Sequence, residues 1–151
     1  MVLILSLAII ILDQVSKHLA IKYLKNKKPY VIVENFFQLS YVENRGAAFG
    51  ILQHKRSLFI IFTIIIILIL SLYLFRNYNL LNKFTKLAFA LLIGGAIGNL
   101  IDRIRFGYVV DFISFRLFNR YDFPVFNVAD ISIVASTFII IYLVLFDQIE
   151  I

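Results

Sequence analysis

Two aspartates, Asp111 and Asp130, stand out because nothing near them in the chain neutralises them. Asp111 interrupts the apolar run Val109-Val110-Asp111-Phe112-Ile113. Asp130 lies in Phe126-Asn127-Val128-Ala129-Asp130-Ile131, where a long apolar stretch begins. Neither has a Lys or Arg within four residues. Two carboxylates brought together at low dielectric cannot easily both ionise. They share one proton, so one acts as a base while the other is an acid. Such a pair can activate water for attack on an amide carbonyl. Proton relay, an ion site and structural hydrogen bonding use the same residues, and spacing alone leaves all four readings open.

Other polar residues sit in similarly apolar surroundings. Asp13 and Lys17 are spaced i, i+4 with the acid first, the favourable order for a helical ion pair. A self-neutralising structural pair and a substrate contact explain them equally well. Asn99, Asp102 and Arg103 fall at i, i+3, i+4 and can share one helix face. Arg103 offers a rigid fork of donors for a carboxylate or a loop carbonyl, and interfacial snorkelling is the plainer account of it. Asn44-Arg45-Gly46 and Gly50 mark turns. Gly94, Gly95 and Gly98 include the small-x-x-x-small spacing that lets another helix approach closely. His18 and His54 have no partner at metal-ligand spacing and receive no role.

These residues need a scaffold, and composition says what kind. The chain has 151 residues, 62% of them hydrophobic, with a mean hydropathy of +0.92. A soluble domain of this size cannot hide that much apolar surface, so part of the solvent is lipid. There is no cysteine, which excludes disulfides, thiol catalysis and Cys-ligated zinc. The net charge of +6 points to anionic headgroups and not to nucleic acid. Four stretches are long and apolar enough to cross a bilayer: about 2–24, 57–75, 84–101 and 129–146. The first lacks the charge pattern and cleavage motif of a secretory leader and reads as a permanent span. The expectation is one integral membrane domain over residues 1–151, all-α in class.

The connections differ in kind. Residues 76–83 form a short polar turn. Tyr30–Val33 and Phe36–Val42 are rich in β-branched and aromatic residues and read as short strands. The 104–128 connection interleaves Phe112, Phe115, Phe118, Tyr121 and Phe123 with Arg116 and Arg120, a composition suited to the interface plane. Four spans place the 25–56 and 104–128 connections on one side. Asp13, Asn44, Asn99, Arg103, Asp111 and Asp130 therefore gather near one membrane surface. Seven Lys or Arg lie in 22–56 and three in 76–86. Taken literally, the positive-inside rule puts that surface in the cytoplasm.

With these blocks assembled, the chain resembles the lipoprotein signal peptidase (signal peptidase II) family. The resemblance rests on Asp13-Gln14-Val15-Ser16-Lys17 and Asn44-Arg45-Gly46-Ala47-Ala48-Phe49-Gly50. It continues through the block from Gly94 to Arg103, then Val109-Val110-Asp111-Phe112 and Phe126-Asn127-Val128-Ala129-Asp130. Five blocks in order on a four-span chain make a specific signature. The resemblance implies a membrane aspartic endopeptidase with Asp111 and Asp130 as the catalytic pair. Asp13, Lys17, Asn44, Asn99, Arg103 and Asn127 are its supporting residues, and Gly46 lets the loop approach the peptide. It further implies an enzyme of the bacterial cell membrane, among membrane lipids, that cuts diacylglyceryl-modified prolipoproteins before the lipidated cysteine; nothing in the sequence requires more than a monomer. No metal or organic cofactor is implied. The β-rich loop and interfacial segment would be extracytoplasmic, against the literal charge count. An ion-conducting protein, an assembly subunit and a metal hydrolase using Asp102, Asp111 and Asp130 are the rival readings.

Overall fold

The structure, a computed structural model, describes residues 1–46, 55–117 and 121–146. Gly50, His54, Phe118 and Arg120 fall outside them. Among the described residues are four long helices: α1 (Val2–Leu24), α2 (Arg56–Asn77), α3 (Lys83–Arg105) and α4 (Val128–Leu145). At about 1.5 Å per residue they measure roughly 27–35 Å, enough to cross a hydrocarbon core of about 30 Å. All four are apolar enough to do so, and the protein is a multi-pass membrane protein.

α3 is the central helix, packed against α1, α2 and α4. Its inward residues are small: Ala88, Ala90, Gly94, Gly95 and Gly98. Lipid tails are as apolar as leucine, so helices in a bilayer associate through close backbone approach and hydrogen bonds. A Cβ on Gly94 would stand 3.0 Å from the Ser6 carbonyl oxygen of α1. One on Gly95 would stand 2.6 Å from the Ala129 carbonyl oxygen of α4. The glycines thus admit two helices, α1 and α4, on neighbouring faces of α3. Ser6 Oγ also donates to the Ala90 carbonyl, 3.0 Å away, across the α1–α3 seam. α2 has no buried residue and touches the bundle through α3. At its start Arg56 donates through Nε and Nη2 to the carbonyls of Arg103 and Ile104, 2.8 Å each. Both carbonyls belong to the last turn of α3, and that of Arg103 also accepts the Gly107 N–H at 3.2 Å.

The two long connections meet in one four-stranded antiparallel sheet, ordered β1 (Tyr30–Val33), β2 (Phe37–Asn44), β3 (Val109–Leu117), β4 (Tyr121–Asp122). β1 and β2 occur where the β-branched and aromatic runs predict strands. β3 and β4 lie in the 104–128 connection, whose composition had suggested only an interfacial location. Val110 and Phe112 on one face of β3 pack against Ala20 near the end of α1. The opposite face, with Val109 and Asp111, is also buried. A strand buried on both faces lacks clean alternation, which is why the pattern does not announce it.

Close approach at Gly95 makes a testable demand. Gly95→Ala should destabilise the bundle by about 1–3 kcal/mol through overpacking against α4. Denaturation in detergent micelles checks this. An unchanged midpoint would mean that the α3–α4 seam yields without cost.

Candidate active site

The site is built outward from one buried ammonium. Lys17 Nζ lies 2.8 Å from Asp13 Oδ2, 3.0 Å from Asp102 Oδ2 and 2.9 Å from Asn99 Oδ1. An ammonium has three donors and no acceptor, so this set saturates it. The side chains of Lys17, Asp13 and Asp102 are each at most 2% exposed. The remaining carboxylate capacity is spent on backbone and amide donors. Asp13 Oδ1 accepts from the Ala129 N–H (2.9 Å), one of the free donors at the start of α4. Asp102 accepts from the Val110 N–H (3.0 Å) and from Gln14 Nε2 (3.0 Å). Gln14 also donates to the Gly98 carbonyl, 3.2 Å away. One cluster therefore ties together α1, α3, β3 and the start of α4.

Asparagines carry this order to the two isolated aspartates. Asn99 Oδ1 faces the Lys17 ammonium and also accepts from Asn127 Nδ2 (3.2 Å). Its Nδ2 therefore points the other way and donates to Asp130 Oδ1 at 2.8 Å. Asn127 is the N-cap of α4. Its Oδ1 accepts from the Asp130 N–H (2.9 Å), while its own N–H donates to Asp130 Oδ2 (3.2 Å), a closed capping box. Asn127 Nδ2 reaches Asp111 Oδ1 at 2.6 Å. One residue thus links the two acids, 19 positions apart in the chain: its side chain meets the Asp111 carboxyl and its backbone N–H the Asp130 carboxyl.

Strand register supplies the last donor. Asn44 pairs with Val109 and Val42 with Asp111, so Asn44 and Asp111 are diagonal neighbours on one face of the sheet. Asn44 Nδ2 donates to Asp111 Oδ2 at 2.9 Å. Asn44 Oδ1 accepts from the Gly46 N–H (3.0 Å), an Asx-type turn that fixes the amide. The Asp111 carboxyl is pushed up to about 7. Burial is the main cause and the neighbouring Asp130 the second, opposed by the donors from Asn44 and Asn127.

A cavity of about 980 Å³ opens beside this network. Glu43, Asn44, Arg45, Asn99, Arg103 and Asp130, with Gly46, form its polar part. Phe123, Phe126, Ile131, Val134 and Phe138 form its apolar wall, which runs along α4. Ile131, Val134 and Phe138 are exposed on the outer surface of the bundle, so the cavity communicates with lipid. Asp111 is 1% exposed and does not line the cavity. Arg103 stacks 5.0 Å over the Phe59 ring at the edge of α2.

All nine site residues named from the sequence lie in this network or on its cavity. Asp13 and Lys17 belong to the buried cluster and not to the cavity wall. Asp102 and Gln14, left out of that set, are integral to the cluster. Their signal was present, since Gln14 adjoins Asp13 and Asp102 follows Asn99 by three residues. Both oxygens of Asp102 are committed to Lys17, Val110 and Gln14. It is not free to join Asp111 and Asp130 around a metal ion.

The sequence model of the Signal peptidase (SPase) II family matches residues 5–146 of this chain. The chain belongs to that family. It is 49% identical over 140 residues to the lipoprotein signal peptidase of Caldanaerobacter subterraneus subsp. tengcongensis, covering 91% of each chain. It is 46% identical over 136 residues to that of Clostridium tetani, covering 90% of this chain and 86% of the relative. A bacterial membrane enzyme solved by the in meso method at 2.3 Å resolution superposes with a TM-score of 0.87 at 38% identity. That match covers 97% of this chain and 88% of the other. A second, at 1.9 Å, gives 0.82 at 38% identity, covering 95% and 92%. This signal peptidase II member is therefore a membrane peptidase, and its polar cluster sits within the segment that the family defines.

Removing the ammonium should expose the cost of burying its partners. Lys17→Met leaves Asp13 and Asp102 without their shared cation, and a loss of about 3–5 kcal/mol is expected. Chemical denaturation of the purified protein measures it. A loss below about 1 kcal/mol would mean that the cluster holds nothing together.

Proposed function

We propose that the chain is an aspartic endopeptidase that removes the signal peptide from diacylglyceryl-modified bacterial prolipoproteins, cutting before the lipidated cysteine. The observation that carries this reading is the pair Asp111 and Asp130, bridged by Asn127 beside a cavity open to lipid. Family membership and the names of the relatives support the peptidase chemistry and the class of substrate. The enzyme works as a monomer in the cytoplasmic membrane, with the sheet and the dyad on the extracytoplasmic side.

In the proposed mechanism the signal helix lies along the apolar wall formed by Ile131, Val134 and Phe138. Its lipid chains stay in the bilayer, so only peptide near the cysteine enters the polar end. Asp130 is the base. At the start of α4 its Oδ2 faces the Asn127 N–H, and its Oδ1 faces the Asn99 side-chain amide from α3, donors complementary to a carboxylate. Asp111 carries the shared proton. Water held between them gives a proton to Asp130 as its oxygen attacks the scissile carbonyl. Asp111 protonates the carbonyl oxygen, giving a gem-diol. The C–N bond then breaks: Asp130 returns its proton to the departing cysteine nitrogen, and a diol proton goes back to Asp111. Products are a carboxyl end and a free amine, and the dyad is restored.

Asp111 is buried, so the reading requires the Asn44 amide to leave it and turn to the substrate backbone. Arg103 on the same cavity stabilises developing negative charge. Gly46 admits the peptide backbone, since a side chain there would narrow the polar mouth. Metal and cofactor have no part in this scheme.

Asp111→Asn and Asp130→Asn, made separately, should each lower cleavage of a lipid-modified precursor by at least about 100-fold with the fold retained. Near-normal turnover by either variant would sink the dyad. The pH profile adds a signed expectation. The reaction needs a proton on Asp111, so kcat/KM should fall as pH rises through about 7. Asn44 donates to Asp111 and favours its charged form. Asn44→Ala should therefore move that alkaline limb upward, and a downward move would contradict the assignment.

A further inference from the structure

β1 is the outer strand of the sheet, and all four of its side chains are exposed although all are apolar or aromatic. Tyr30 is 65% exposed, Ile32 48% and Phe36, just beyond the strand, 49%. Exposed contiguous apolar surface of this kind marks an interaction site. Its position limits what can cover it. The strand starts six residues after Leu24, the last residue of the membrane-spanning α1. Leu19 and Tyr23 are exposed near the end of α1, and the next exposed large apolar side chain along the chain is Tyr30.

Charge is sorted along the same hairpin. Lys25, Lys27 and Lys28 occupy the link between α1 and β1; of the hairpin's two acids, Glu34 is at the far turn and Glu43 is near the end of β2. Lys25 is engaged with Glu43 at 3.4 Å. Among the described residues Lys27 and Lys28 form no ion pair, and both are exposed. Lys27 and Lys28 therefore flank the apolar strand where the chain leaves the bilayer, while Glu34 lies at the strand's other end and Glu43 is taken up by Lys25 and Arg45. That order matches a leaflet with apolar interior and anionic headgroups.

We propose that the β1 hairpin docks into the headgroup region of the bilayer leaflet on the site's side. Tyr30, Ile32 and Phe36 reach the acyl boundary, and Lys27 and Lys28 bind anionic lipid phosphates. The consequence is mechanical. β1 is bonded to β2, and β2 ends in Asn44 beside Asp111. Docking holds this end of the polar site at a set depth relative to the lipid. The inference does not depend on the dyad being catalytic.

The full chain in vesicles provides the test. It contains no tryptophan, so Tyr30→Trp and, separately, Ile32→Trp each carry a single reporter. The vesicles are phosphatidylcholine brominated in the upper acyl chain, with or without phosphatidylglycerol. Bromine should quench both reporters, and more strongly when phosphatidylglycerol is present. Adding Lys27→Gln and Lys28→Gln should remove that increment, by about fivefold per lysine in the docked-to-free ratio, while quenching in neutral vesicles persists. Reporters quenched by aqueous acrylamide and untouched by bromolipid would overturn the proposal. So would quenching indifferent to phosphatidylglycerol and to the two lysines. Bromolipid quenching that falls as protein density rises would assign the strand edge to a second copy, and also overturns it.

Discussion

The ammonium of Lys17 is the point from which the polar half of this protein is organised. It is buried among Asp13, Asp102 and Asn99 and has no donor to spare. An unpaired charge in that position would be severely penalised, so the partners cannot be rearranged independently. Asp13 carries the constraint to the start of α4 through the Ala129 N–H, and Asp102 carries it to β3 through the Val110 N–H. The elements that bear Asp130 and Asp111 are thus referred to one cation. A buried ion cluster is poor value as a source of net stability, because desolvation offsets most of the attraction. What it gives here is direction: an ammonium can only donate, so the oxygen of Asn99 must face it and the nitrogen must face Asp130.

The same logic distinguishes the two acids. Asp130 sits in a capping box at a helix N-terminus, where the backbone presents positive partial charge. Asp111 sits on a strand, buried and near another acid, and its carboxyl is pushed up to about 7. Two identical side chains are given different surroundings by the elements that hold them. In the proposed mechanism that difference assigns base and proton carrier. Asn127 belongs to both environments, since it caps the helix with its oxygen and holds Asp111 with its nitrogen.

Close packing makes these short polar contacts possible. A Cβ on Gly98 would stand 2.5 Å from Asp13 Oδ2, inside the distance at which atoms can coexist. The glycine that looks like a helix-packing device is also what makes room for the acid in the ion cluster. α2 takes no part in this arrangement beyond its contact with α3 and the Arg56 cap. Its charge-free run over 57–75 and its lack of any buried residue have the same explanation: lipid covers every face that does not rest on α3.

Much of this was determined by the sequence alone. Helix length is set by bilayer thickness, so four apolar runs of near-constant length announce four spans, and span parity gathers the polar residues on one side. The lack of local counter-charge at Asp111 and Asp130 was equally legible, as was the i, i+4 order of Asp13 and Lys17. The strand Val109–Leu117 was not, because burial on both faces erases the alternation that marks a strand. Nor was the choice of partners. Nothing in a one-dimensional pattern says that Lys17 takes Asp102 as well as Asp13, that Asn99 turns its nitrogen to Asp130, or that Asn44 meets Asp111 diagonally across a sheet. Those depend on register and helix approach. Both are decided where several elements must satisfy every buried donor and acceptor at once.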